Sequence, residues 1–164
     1  MKEKCGVFGI YNCNSDTNII PSVINGLKLL QHRGQEGCGI AFENNKQLDI
    51  HKGLGLVTNV FNHDISIETN KCIGHVRYST SGNSKINDDS KLSECQPLEG
   101  NINGEEFYIS HNGNLPKIKT HDTQYIVDFI NKSDCDDFEK KLISLMETIP
   151  CAYSILILTK NCIY

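Results

Sequence analysis

Residues 5–11 of the chain read Cys-Gly-Val-Phe-Gly-Ile-Tyr, and small and apolar side chains alternate along them. This alternation predicts a β-strand that starts almost at the N-terminus. The Asn/Ser/Asp-rich residues 12–18 that follow are typical of a turn. Because sites are usually built at strand ends and in the adjoining loops, Cys5 at the start of this strand is a candidate functional residue.

Outward from this strand, hydrophobic periodicity predicts a mixture of strands and helices without strict βα alternation. The predicted helices are 22–32, 56–61, 122–131 (capped by Asp122) and 136–147. The predicted strands are 38–42 and 47–51, which form a hairpin, then 71–79, 106–111 and 153–159, the last buried on both faces. Residues 80–96 are predicted to be a loop, and residues 112–114 a sharp turn, since Asn and Gly tolerate positive φ.

The composition fits one globular domain. The chain has 164 residues and a formal net charge of −4, with no block of Lys and Arg, so nucleic acid is not expected as a partner. No apolar run approaches the roughly 20 residues that span a bilayer, and no signal peptide is evident. We therefore expect a soluble, cytoplasmic protein that does not act at a membrane.

Eight cysteines could indicate disulfides or a metal site. None of them forms the closely spaced pairs that structural zinc sites use, so no metal is expected. Without a secretion signal disulfides are disfavoured, and several cysteines, such as Cys72 and Cys151, lie in apolar runs where a thiol behaves as a small hydrophobe. At most one cysteine needs a special role.

Four short stretches combine reactive side chains with turn residues at strand ends: Cys5, residues 31–36, residues 74–80 and residues 110–115. Each alone is weak evidence, because a surface charge or a hairpin turn explains it equally well. Their strings are Gln-His-Arg-Gly-Gln-Glu at 31–36, Gly-His-Val-Arg-Tyr-Ser-Thr at 74–80 and Ser-His-Asn-Gly-Asn-Leu at 110–115.

Together these strings resemble the class-II glutamine amidotransferases, in particular the amidotransferase domain of the amidophosphoribosyltransferases of purine synthesis. Further matching strings are Cys-Gly-Val-Phe-Gly-Ile at 5–10, Gly-Leu-Gly-Leu-Val at 53–57, Gln-Pro-Leu at 96–98, Asp-Thr at 122–123 and Ala-Tyr-Ser at 152–154. The matches occur in the order of the family and cover essentially the whole chain. The resemblance implies an α+β fold, the four-layer αββα sandwich of the N-terminal nucleophile hydrolases, shortened at its C-terminus.

The resemblance also implies a mechanism, in which Cys5 is the first residue after processing. A free α-amino group with a pKa of about 8 can then take the proton of its own thiol, with a pKa of about 8.5, and no separate histidine base is needed. In the family the oxyanion is held by an Asn side chain and a Gly backbone N–H, which correspond to Asn112 and Gly113.

The remaining site residues follow from the same resemblance and suit a zwitterionic substrate. Arg77 would hold the carboxylate of glutamine and Asp122 its α-amino group, and Thr80 lies on the loop that closes over the substrate. The implied reaction is the hydrolysis of glutamine to glutamate and ammonia through a thioester on Cys5, without metal or organic cofactor. A separate ammonia-accepting synthase chain is a candidate partner, and the oligomeric state is not predicted.

Three departures from the family give further expectations. Residues 1–4 precede Cys5 and are predicted to be a cleaved propeptide, leaving a shortened amidotransferase domain of residues 5–164. Only residues 116–121 separate the 110–115 string from Asp122, where the family has a helix and a loop. The signature of a phosphoribosyltransferase domain is absent, so phosphoribosyl transfer is not expected from this polypeptide alone.

Two interpretations remain open at the level of sequence. The first is a glutaminase-type amidotransferase domain, either free-standing or delivering ammonia to another chain. The alternative is a weakly active or inactive relic of this fold that acts as a binding or regulatory module. Release of glutamate and labelling of Cys5 by a glutamine-like electrophile would distinguish them.

Overall fold

The computed structural model describes residues 5–13, 18–78, 87–115, 121–133, 135, 137–149 and 151–164. The strands in these ranges are β1 (Gly6–Tyr11), β2 (Gly37–Asn44), β3 (Gln47–Leu54), β4 (Lys71–Arg77), β5 (Leu98–Ile102), β6 (Glu105–Gly113) and β7 (Tyr153–Leu158). The helices are α1 (Ile20–Leu29), α2 (Val57–Val60), α3 (Asp88–Ser93), α4 (Asp122–Lys132) and α5 (Phe138–Thr148), and a 3-10 turn covers Gln31–Arg33.

The strands form two antiparallel sheets that lie face to face. The first sheet has the order β1-β4-β2-β3 and the second the order β5-β6-β7. Helices α1 and α2 pack on the outer face of the first sheet, and α4 and α5 on the outer face of the second. The layers are therefore helix, sheet, sheet and helix, which confirms the predicted α+β sandwich.

Three apolar clusters correspond to the three boundaries between these layers. One lies between α1 and the first sheet and includes Val23 and Leu27, which are fully buried. Another lies under α4 and α5. The third fills the space between the sheets, where Ile73 of β4 meets Tyr108 of β6. Burial of apolar area, at roughly 25 cal/mol per Å², therefore stabilises each layer against the next.

The alternation of side chains along each strand decides which residues face the space between the sheets. On β4, Ile73 faces this space, so His75 and Arg77 face it too. On β6, Tyr108 faces it, so Ser110 and Asn112 do as well. The polar residues that follow the apolar inner cluster along both strands thus converge at one end of the sandwich.

Several boundaries differ from the sequence-based expectations. The predicted loop at 80–96 contains helix α3, whose N-cap Asn87 accepts a hydrogen bond from the Ser90 N–H at 2.9 Å, and strand β5 was not predicted. The predicted turn at 112–114 is wrong, because Asn112 and Gly113 are the last residues of β6 and pair with β7. Strand β7 lies at an edge of its sheet and exposes Ser154, so it is not buried on both faces.

The predicted cap of α4 is also wrong. His121, and not Asp122, is the N-cap residue, and it makes no capping bond with its side chain. Asp122 is the first residue of the helix, and its Oδ2 accepts a hydrogen bond from the backbone N–H of Leu115 at 2.9 Å. This carboxylate therefore ties the start of α4 to the end of β6.

Candidate active site

Cys5 lies directly before β1, at the end of the first sheet where β4 finishes. The backbone N–H of Tyr78 donates to its Sγ at 3.4 Å, and Sγ lies 3.6 Å from the carbonyl oxygen of Tyr78. Arg33 Nε donates to the Cys5 carbonyl at 3.1 Å. Backbone pairing of β1 with β4 and these three contacts hold the sulfur at a fixed place beside Arg77.

The electrostatic environment of this sulfur has opposing contributions. Burial raises the pKa of the Cys5 thiol, while the Tyr78 backbone hydrogen bond and the charges of Arg77 and Arg33 lower it in part. The net effect is a raised pKa, so the thiol is protonated near neutral pH. Among the described residues its hydrogen bonds are to backbone atoms of Tyr78, so a proton acceptor has to come from elsewhere.

Arg77 ends β4 and is only 9% exposed. Its Nη1 donates to Glu36 Oε2 at 3.0 Å, and its Nη2 donates to Glu94 Oε2. Glu36 precedes β2, and Glu94 follows α3. Both terminal nitrogens of this buried guanidinium are thus paired with carboxylates from two different parts of the chain.

Asn112 and Gly113 lie across the space between the sheets, at the end of β6. Gly113 is sterically confined, because a Cβ added there would lie 2.6 Å from Cβ of Tyr153 and 2.7 Å from Nε2 of His111. Asn112 pairs with Ser154, and strand alternation directs its side chain toward the first sheet. An extended strand end, and not a tight turn, therefore presents these two predicted oxyanion donors.

Asp122 lies near the same end of the second sheet despite the short connection before it. Its negative charge acts on His111, and its Oδ2 accepts from the Leu115 N–H. The neighbouring Thr123 Oγ1 lies 3.2 Å from His111 Nδ1. The start of α4 is thus joined to β6 on the face opposite to the side chain of Asn112.

Two buried histidines, His75 and His111, and the half-buried His121 surround this region, and their environment favours the neutral form. Burial lowers the pKa of His75 to about 3 and that of His111 to about 4, and it also lowers the pKa of His121. Within the described part of the chain, neither ring nitrogen of His75 has a hydrogen-bond partner, and the same holds for the Ser110 hydroxyl. A polar, incompletely paired region therefore adjoins the predicted nucleophile and oxyanion donors.

The structure places Cys5 and Arg77 at the end of the first sheet and Asn112 and Gly113 at the end of the second, with Asp122 behind β6 on the side of α4. Thr80 and residues 1–4 lie outside the described residues. Two residues of this region were not predicted as site residues from the sequence. Glu94 accepts a hydrogen bond from Arg77 Nη2. Gln96 accepts one through its Oε1 from the His111 N–H, at 2.6 Å. Gln96 was present in the matched Gln-Pro-Leu string, whereas nothing in the local sequence indicated Glu94.

Other kinds of site receive no support from the part of the chain that the structure describes. No group of three or more His, Cys, Asp or Glu residues within it is arranged to hold a metal ion. No helix within it is long and apolar enough to cross a membrane.

Comparison with known proteins identifies amidophosphoribosyltransferases as relatives of this chain. An amidophosphoribosyltransferase of Staphylococcus aureus is 34% identical over 183 aligned positions that include the whole of this chain. The amidophosphoribosyltransferase of Methanothermobacter thermautotrophicus is 38% identical over 117 positions, which cover 70% of this chain. The chain is a homologue of the amidophosphoribosyltransferases. The chain spans 35% of the length of the S. aureus amidophosphoribosyltransferase, and its aligned part covers 23% of the M. thermautotrophicus one. No family model matches the chain.

Solved structures place the chain within the fold of these enzymes. The allosteric regulatory enzyme of purine biosynthesis superposes with a TM-score of 0.76 at 31% identity, covering 94% of this chain and 35% of that one. Glutamine phosphoribosylpyrophosphate amidotransferase from B. subtilis gives a TM-score of 0.73, also at 31% identity. The amidophosphoribosyltransferase likeness therefore confirms the N-terminal nucleophile amidotransferase fold predicted from the sequence.

Proposed function

We propose that this chain hydrolyses the side-chain amide of glutamine to glutamate and ammonia through a thioester on Cys5. The observation that carries the proposal is the position of the Cys5 sulfur: it lies beside Arg77, is bonded to the Tyr78 backbone, and faces the strand end that carries Asn112. The likeness to amidophosphoribosyltransferases over the whole chain supports the same reaction.

The first requirement is a base for a thiol whose pKa burial has raised. We propose that residues 1–4 are removed, so that the α-amino group of Cys5 becomes this base. With a pKa of about 8, such an amine accepts the thiol proton near neutral pH. The thiolate then attacks the amide carbon, and the resulting tetrahedral intermediate carries its negative charge on the former carbonyl oxygen.

Collapse of this intermediate breaks the C–N bond, and the proton held by the amine leaves with the nitrogen as ammonia. Water then attacks the thioester, glutamate is released, and one proton returns to the sulfur. Asn112 and Gly113 are proposed to stabilise the oxyanion in both steps with a side-chain amide and a backbone N–H. No metal or organic cofactor takes part in this sequence of bonds made and broken.

The other end of glutamine carries opposite charges that suit different residues. We propose that Arg77 binds its carboxylate and Asp122 its ammonium group, with Thr80 covering the bound substrate. Support for Arg77 comes from its buried position next to Cys5. Support for Asp122 comes from its place at the end of the second sheet, beside His111.

The ammonia acceptor is proposed to lie outside residues 1–164. The relatives are named amidophosphoribosyltransferases, and one solved relative is a glutamine phosphoribosylpyrophosphate amidotransferase. A phosphoribosyl acceptor in purine synthesis, in the cytoplasm, is therefore the proposed destination of the ammonia. It would be supplied by another polypeptide, such as a separate synthase chain, or by another part of a longer one.

One experiment tests the glutaminase proposal. Purified protein is incubated with glutamine, released glutamate is measured, and the N-terminus of the same sample is determined by intact mass. We expect glutamate release only from protein that begins at Cys5, and labelling of Cys5 by a diazo-ketone analogue of glutamine. The exposed Cys13 is a matched control, since simple thiol accessibility would label it as well.

Two outcomes would contradict the proposal. Activity in protein that retains Lys4 would show that the α-amino group of Cys5 is not the base. Correctly processed, folded protein without glutamate release or Cys5 labelling would favour the inactive binding or regulatory module.

A further inference from the structure

The substrate end of the site contains a carboxylate that belongs to the protein itself. The guanidinium of Arg77 donates from Nη1 to Glu36 and from Nη2 to Glu94, and its side chain is only 11% exposed. Two carboxylates thus balance one positive charge in a largely buried position. A ligand carboxylate that approaches this guanidinium meets two terminal nitrogens that already donate to carboxylates, and an excess of negative charge.

The two carboxylates are held in different ways. Glu36 is fixed through its backbone, because its N–H donates to the Arg77 carbonyl at 3.1 Å and its carbonyl accepts from the Gly55 N–H at 2.9 Å. Glu94 is the C-cap residue that follows the short helix α3, and its N–H is shared between the Leu92 carbonyl and the Ser90 carbonyl, the latter at 3.4 Å. Glu36 is therefore built into the end of the first sheet, directly before its interior strand β2, whereas Glu94 reaches Arg77 from the end of a separate short helix.

We propose that Glu94 occupies the subsite for the carboxylate of the substrate, so that glutamine binds by exchanging its α-carboxylate for that of Glu94. The inference rests on the proposed function, since it takes Arg77 as the group that binds the substrate carboxylate. Glu36 stays in place and orients the guanidinium during the exchange. Glu94 thereby sets the affinity for glutamine without contacting the reacting amide.

This exchange has a consequence for specificity. A substrate must carry a carboxylate able to compete with Glu94, so an amide that lacks an α-carboxylate leaves the Arg77–Glu94 pair closed. The part-exposed Glu94 side chain, 38% exposed, can move into solvent when it is displaced. The ion pair thus costs part of the affinity for glutamine, and an amide without a carboxylate gains no bond to Arg77 in exchange.

The test compares Glu94→Gln with Glu36→Gln in the processed protein. The KM for L-glutamine is measured together with the Kd for L-glutamate, the product, which carries the same α-carboxylate and is not consumed. We expect Glu94→Gln to lower both constants about two- to fivefold, the size of a part-exposed ion pair. Glu36→Gln removes an equal charge but leaves Glu94 on Nη2, so it should lower them less.

A control substrate shows whether Glu94 acts by occupying the carboxylate subsite at Arg77 or only through its negative charge. L-glutaminamide keeps the α-ammonium but lacks the α-carboxylate, so it cannot take the place of Glu94 on Arg77, and its KM should not fall in Glu94→Gln. Equal gains from both variants would show that charge alone is responsible. An unchanged KM in Glu94→Gln would show that Glu94 does not compete with the substrate, and a raised KM that it helps to bind the substrate. Each of these results overturns the inference. If the parent protein neither hydrolyses glutamine nor binds L-glutamate, the proposed function itself has failed.

Discussion

The two sheets end at the candidate site in different states of pairing. At the end of the first sheet, the Cys5 sulfur is bonded to the Tyr78 backbone and Arg77 is paired with two carboxylates. At the end of the second sheet, the Ser110 hydroxyl and Nε2 of His111 are buried without a hydrogen-bond partner among the described residues. The first sheet thus ends in paired charged groups, with unpaired ring nitrogens only at His75 further back on β4, whereas the second ends in buried polar atoms without partners.

This difference suggests a division of labour between the sheets. A buried polar group without a partner costs about 1–3 kcal/mol, so natural proteins rarely keep several together without a functional reason. Fixed donors that are not already paired can stabilise charge that develops during a reaction. We therefore propose that the first sheet carries the nucleophile and the residue that binds the substrate carboxylate, and that the second carries the oxyanion donors.

The largest effect is expected from removing the nucleophile of the first sheet. Cys5→Ala should lower glutamate release at least about a thousandfold, because no thioester can form. The fold should persist, since Cys5 precedes β1 and belongs to none of the apolar clusters. The measurement is a glutaminase assay with circular dichroism of the same sample, and Cys13→Ala is the control. Retained activity in Cys5→Ala would refute the assignment.

A smaller but still large effect is expected from the second sheet. Asn112→Ala should lower kcat about 10²- to 10³-fold with a modest change in KM, because an oxyanion donor acts mainly in the transition state. Asn114→Ala, at an exposed position two residues further along, is the matched control and should leave kcat unchanged. A change in KM alone would instead make Asn112 a binding residue.

Much of the fold was predictable from local sequence, but the details of the site were not. Alternation and periodicity gave β1, the β2–β3 hairpin and α4, because each buries one clear apolar face. Asn112 and Gly113 have turn propensity, yet pairing with Ser154 and Tyr153 in β7 keeps them in a strand. That pairing joins segments some forty positions apart, so it overrides a preference that only neighbouring residues determine.

The missed elements have the same kind of explanation. Helix α3 has six residues and buries none of them, so it has no apolar periodicity to detect, although Asn87 followed by Asp88 and Asp89 is a recognisable N-terminal signal. The contact between Glu94 and Arg77 depends on where the end of α3 lies over the first sheet. Matched strings identified the reactive residues, but only the folded chain shows which charges they face.

Two neutral histidines, His75 between the sheets and His111 on the outer face of the second sheet, predict that the free energy of unfolding depends on pH. The unfolded chain protonates a histidine below about pH 6.5, whereas the folded chain protonates His111 near pH 4 and His75 near pH 3. Between those values the unfolded state binds more protons, so the free energy of unfolding falls as the pH is lowered. Each histidine should contribute a slope of about 1.4 kcal/mol per pH unit.

Urea unfolding at several pH values between 4 and 7 measures this slope. His75→Gln should reduce this slope by the contribution of one histidine. The comparison is between slopes, so it holds even where the substitution lowers the overall free energy of unfolding. His32→Gln, at an exposed position, is the control and should leave the slope unchanged. Equal slopes in the parent protein and in His75→Gln would show that His75 is not held neutral by the fold.

The smallest effect is expected at the bond between α4 and β6. Thr123→Val removes the hydroxyl 3.2 Å from His111 Nδ1 and so leaves both ring nitrogens of that buried histidine without a partner in the described structure. The expected loss is about 1–2 kcal/mol in the free energy of unfolding. Thr123→Ser keeps the hydroxyl and loses one buried methyl group, which costs about 0.8 kcal/mol.

The two variants should also differ in activity, which links this bond to the comparison of the sheets. If α4 positions the end of β6 through His111, Thr123→Val should lower kcat a few-fold at saturating glutamine, and Thr123→Ser should not. Equal kcat values in both variants, with the expected difference in stability, would limit Thr123 to a packing role. The second sheet would then orient Asn112 through its pairing with β7 alone, because that pairing does not depend on α4.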